Sequence, residues 1–119
     1  MCTGPGLSGL RAPTGRKEQV AAAHERGAAD CAFLDVDHCF DGWQGTVDLR
    51  DPLLHTRIST GLQRLVVFTN GQRGDIAVEP VSHVNNAINL LQAGYTAESL
   101  GVQVLAPGAS LSAEMTIQV

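Results

Sequence analysis

Beyond residue 31 the apolar positions of this chain fall into short runs broken by turn residues, at the spacing of strands rather than helices. Ala32-Phe33-Leu34 is a short apolar run leading into Asp35-Val36-Asp37. Phe40 and Trp43 then bracket a turn at Asp41-Gly42. Thr46-Val47-Asp48-Leu49-Arg50 alternates apolar and polar and predicts a strand, closed by a turn at Asp51-Pro52. Leu54 to Thr60 alternates again, with His55, Arg57 and Ser59 on the polar face. Leu65 to Thr69 is nearly continuously apolar, which predicts a strand covered on both sides. After a polar turn over 70–75, Ile76-Ala77-Val78 forms its partner strand. Val84 to Gln92 fits one or two helical turns or an irregular loop, ended by Ala93-Gly94-Tyr95. Val102 to Leu105 and Leu111 to Val119 read as two last strands around a turn at Ala106-Pro107-Gly108.

The first 30 residues differ. Residues 1–15 are rich in Gly and Pro and predict a loop or mobile arm. Arg16 to Arg26 has helix-forming composition ending at Gly27, but its apolar face is only Val20 and alanines. His24 there reads as a solvated helix residue. The expected organisation is therefore an N-terminal arm over 1–30 and a β-rich part over 31–119. Short strands separated by turns at intervals of about ten residues predict an all-β fold, an antiparallel β-sandwich.

Composition narrows the function classes. Apolar residues make up 44% of 119, enough for one small core. Eight Lys and Arg against twelve Asp and Glu leave a formal charge of −4, which argues against a nucleic-acid partner. No apolar run is long enough for a membrane span, and the N-terminus lacks the apolar core of a signal peptide, so a cytoplasmic location is expected. The three cysteines, Cys2, Cys31 and Cys39, make no metal-type pair. Cys31 and Cys39 could bridge, while free thiols suit a reducing compartment.

The candidate chemistry centres on Glu79. Pro80 lacks an N–H and restrains Glu79 to extended backbone, which seats a carboxylate with defined geometry. A plain solvent-facing carboxylate at a strand end has the same local sequence.

Glu79-Pro80-Val81-Ser82-His83, followed by Asn85-Asn86-Ala87-Ile88-Asn89, resembles the C-terminal motif of the aldose 1-epimerase (galactose mutarotase) family. Upstream, Val36-Asp37-His38-Cys39-Phe40-Asp41-Gly42-Trp43-Gln44-Gly45 also matches, as does Leu105-Ala106-Pro107-Gly108-Ala109-Ser110-Leu111 downstream. The three stretches come in the family's order and cover roughly residues 33–119. The resemblance implies part of a galactose mutarotase-like supersandwich, its C-terminal half only, and hence a truncated form.

It further implies an isomerase that interconverts the α and β anomers of a hexose by acid–base ring opening, without cofactor or metal. Glu79 would be the general base, its pKa raised by partial burial. Asp37 would accept hydrogen bonds from ring hydroxyls. His38 and His83 would orient the carboxylates or line the cleft. Trp43 would pack against the sugar or serve the core. The family's histidine acid belongs to its N-terminal half, outside the matched stretches, so a non-catalytic carbohydrate-binding remnant is the alternative. An uncovered sheet face would then favour a homo-oligomer.

Overall fold

The structure, a computed structural model, describes residues 35–69, 72 and 74–119, together with the backbone of three short strands before them. Those three are β1 (Cys2–Thr3), β2 (Ser8–Gly9) and β3 (Ala28–Ala29). Three segments of the expected N-terminal arm thus have strand backbone. The helix predicted over Arg16 to Arg26 lies outside the described residues. The remaining strands are β4 (Asp37–Asp41), β5 (Thr46–Arg50), β6 (His55–Thr60), β7 (Arg64–Thr69), β8 (Ile76–Val81) and β9 (Met115–Gln118). Two short helices, α1 (Ala87–Gln92) and α2 (Ala97–Leu100), sit between β8 and β9.

The strands form two antiparallel sheets, one in the order β3-β1-β5-β6-β9 and one in the order β2-β4-β7-β8. The chain is mostly β, as the alternation predicts. One core joins the sheets: Phe40, Leu65 and Val67 from the four-stranded sheet, with Val36 just before β4, meet Val47 and Ile58 from the other, with Trp43 among them. Period-two side-chain alternation puts the apolar set of each sheet on one face, and burying those faces together is what stabilises a pair of small sheets.

Two close approaches fix the β5–β6 hairpin. Thr60 N–H donates to the Gly45 carbonyl at 2.8 Å, and Gly45 has φ 81°. A Cβ at Gly45 would strike the Thr60 carbonyl oxygen, so only glycine fits there. On the outer face of this hairpin Asp48 accepts from His55 Nε2 at 2.7 Å and from Arg57 Nε at 2.8 Å. The Arg57 hydrogen bond, seconded by His55, pulls the Asp48 carboxyl down to about 2.

A second, smaller cluster forms where α1 and α2 pack on the other face of the four-stranded sheet. Val84, Ala87 and Leu100 are buried there against Cys39 and Val102. Arg64 ties this layer down: its Nη1 donates to the Ser82 carbonyl and its Nη2 to the Ser99 carbonyl, each at 3.2 Å. Arg64 Nε also lies 3.3 Å from Asp41 Oδ1, an ion pair not aligned as a hydrogen bond. Gly101, at φ 71° after α2, leaves room for the Arg64 guanidinium and the Ser82 carbonyl, which a Cβ would strike.

Two expected elements differ. The strand predicted over Val102 to Leu105 is irregular chain. Val102 closes the α2 turn instead, its N–H donating to the Ala97 carbonyl at 2.8 Å, and Val104 is 89% exposed. The strand predicted over Leu111 to Val119 is confined to Met115–Gln118, where β6 offers a partner edge.

Candidate functional site

The register of the four-stranded sheet decides which candidate residues can act together. Asp37 pairs with Phe68, and Phe68 with Ala77; Cys39 pairs with Val66, and Val66 with Glu79. Directly opposed residues of an antiparallel pair share a face. Asp37, Phe68, Val66 and Glu79 therefore stand on one face, and His38, Val67 and Val78 on the other. Asp37 and Glu79 are two strands and one diagonal apart, roughly 12 Å between Cα atoms at ordinary sheet spacing. Both carboxylates are exposed. The partial burial expected for a base at Glu79 is absent, because β8 is an edge of its sheet.

The helical layer covers only one end of this face. It packs at Cys39 and is anchored through Arg64, and leaves the Asp37–Phe68–Ala77 row open. Phe68 is 42% exposed in that row, beside Asp37 and on the Glu79 side of the sheet. An open aromatic ring flanked by carboxylates is a surface on which a sugar's C–H face can stack while its hydroxyls donate outward. Sequence reasoning missed Phe68: inside a continuous apolar run, nothing marks the one ring whose side stays open.

Trp43 is a core residue, not a surface for sugar. It is 2% exposed, packs in the shared core, and its indole N–H donates to the Thr46 carbonyl at 3.0 Å. His38 also faces the core, at 5% exposure, with its ring edge-on to Phe40 at 4.7 Å. Burial lowers its pKa, partly opposed by the charge of Asp37, so the imidazole is neutral near pH 7. Its Nε2 has no hydrogen-bond partner among the described residues. Facing away from Glu79, His38 cannot reach a ligand held on the carboxylate face.

His83 is exposed just beyond β8, with Nδ1 3.0 Å from Ser82 Oγ. It lines a groove of about 610 Å³ between the β8–α1 loop and the chain after α2. The structure thus brings Asp37 and Glu79 to one face, puts His83 at its margin, and takes His38 and Trp43 into the core. Cys39, on the carboxylate face under the helices, is a free thiol whose pKa burial raises. Among the described residues no group of three or more His, Cys, Asp or Glu could hold a metal ion. Nor, among them, is any helix long and apolar enough to cross a membrane.

Comparisons with protein-family models, with curated proteins and with solved structures gave no match.

Proposed function

We propose that this chain carries the base-bearing sugar face of an aldose 1-epimerase-like isomerase acting on a hexose. The observation that carries the reading is the shared face of Asp37 and Glu79, the two carboxylates that the sequence resemblance singles out. In this reading the two sheets are part of a larger galactose mutarotase-like sandwich. Asp37 accepts hydrogen bonds from ring hydroxyls, and Phe68 supports the ring. Glu79 takes the proton of the anomeric hydroxyl, the C1–O5 bond opens as an acid protonates O5, and the aldehyde end rotates before the ring recloses.

Glu79 needs that acid on the far side of the ring. Its loss alone is worth on the order of 10²–10⁴ in rate. His38 is turned into the core, which favours a second reading: a hexose-binding module that contributes Asp37 and Glu79 and lacks turnover by itself. A second copy joined at β9 is the partner this account favours. Polarimetry of α-glucose and α-galactose separates the two readings. The isomerase reading expects faster anomer exchange that Glu79→Gln abolishes. Saturable hexose binding with no acceleration supports the binding module, and exchange undiminished in Glu79→Gln removes Glu79 from the chemistry.

A further inference from the structure

The groove beside His83 is not accounted for by chemistry at Glu79. At about 610 Å³ it falls in the range of small-molecule sites, about 300–1,000 Å³. Its polar lining comes from Ser82, His83, Asn86, Asn89 and Gln103, and among the described residues no Asp, Glu, Lys or Arg lines it. Arg64, the cation that approaches Gly101 in its wall, has both Nη groups engaged by the Ser82 and Ser99 carbonyls. Ile88, 73% exposed, and Leu111, 52% exposed, supply apolar surface beside these groups.

The polar groups are held in defined places. Ser82 Oγ fixes His83 Nδ1, which leaves Nε2 to a ligand. Asn89 donates its amide to Asn86 Oδ1, a bond that uses neither the Asn86 amide hydrogens nor the Asn89 side-chain oxygen. Asn86 sits at φ 62° and its side chain makes no capping bond to α1. Uncharged amides, a hydroxyl and an imidazole can both donate and accept. A hydroxyl group does the same, whereas a phosphate or carboxylate ligand would find no Lys or Arg among the lining residues, and the Arg64 guanidinium behind Gly101 already engaged by two carbonyls.

We infer that this groove is a second sugar subsite, which takes a further ring of a neutral oligosaccharide whose terminal ring lies at Glu79. The choice of sugar rests on the function proposed above. The groove starts at Ser82, three residues past Glu79, at most about 10 Å along extended chain. A ligand longer than one ring is what can meet both places.

The side-chain amide signals of Asn86, Asn89 and Gln103 in ¹⁵N-labelled full-length chain report on the groove directly. Maltose, cellobiose and lactose are titrated against glucose and glucose 6-phosphate. The expected result is a saturable shift of these amides with at least one disaccharide, tighter than with glucose. Asn86→Gly keeps the left-handed backbone and removes the amide; it should weaken that binding about three- to tenfold. Silence of all three amides with every disaccharide overturns the proposal, as does tighter binding of glucose 6-phosphate than of glucose. Equal disaccharide affinity in Asn86→Gly and Gln103→Ala chains that retain their folded spectra overturns it too. Polarimetry of the unsubstituted chain with the same sugars separates the two claims. Amide shifts without anomer exchange uphold the subsite and remove the isomerase; exchange with silent amides does the reverse.

Discussion

At the scale of single residues, His38 carries a consequence of its burial. Its neutral ring fills the core beside Phe40, and burial disfavours the charged form. The folded-state pKa is depressed below the ordinary histidine value of about 6.5, so the folded chain binds fewer protons than the unfolded one. The stability it contributes is complete above about pH 6.5 and is lost as the pH falls through the folded value. Denaturant midpoints measured from pH 8 to pH 5 should fall over that window, and His38→Phe should flatten the fall. A midpoint in the parent chain that stays level across the window would contradict the buried neutral ring.

The position of His38 was legible in part. Val36, His38 and Phe40 recur every second residue, a strand pattern once the histidine is counted with the apolar set. Read as a polar residue beside Asp37, it suggested a cleft wall instead. Trp43 had two open roles, and the core role is the one its burial and its bond to Thr46 meet. Phe68 and Glu79 show what composition cannot reveal: which side of a strand remains uncovered depends on where α1 and α2 settle, and that is a tertiary outcome.

At the scale of elements, the β5–β6 hairpin is the most completely foretold. Alternation over Thr46 to Arg50 and over Leu54 to Thr60 matches the strands to within a residue, and the row Val47–Ile58 enters the core as the pattern requires. The sequence held a further clue at Gly45, where close backbone approach to Thr60 excludes a side chain. Gly45→Ala combines that clash with a positive φ and should cost about 1–3 kcal/mol or more, read from urea midpoints. An unchanged midpoint would show that the hairpin does not hold this approach in solution. The Val102–Leu105 prediction failed for a complementary reason. A short apolar run becomes a strand only where an edge accepts it, and here Val102 is taken up by the helical layer.

At the scale of the whole molecule, β9 ends the five-stranded sheet with its apolar side chains in view. Ile117 extends the core row Val47–Ile58, yet is 56% exposed, and Met115 beside it is 51% exposed. β9 bears no charged side chain, so a second copy can align there without like-charge repulsion. Sedimentation velocity should show self-association that rises with concentration, and Ile117→Lys should suppress it. A monomer at all concentrations would set this edge aside.

The account as a whole stands on one claim, that Asp37, Phe68 and Glu79 form a single face that holds a hexose. Titration of glucose and galactose into ¹³C-labelled chain, with the side-chain carboxyl signals of Asp37 and Glu79 and the ring signals of Phe68 observed together, tests it most directly. The account predicts that all three move with one binding curve while the ring signals of His38 and Trp43, inside the core, stay in place. Carboxyl signals that remain still at saturating sugar, or that titrate separately from Phe68, would contradict it.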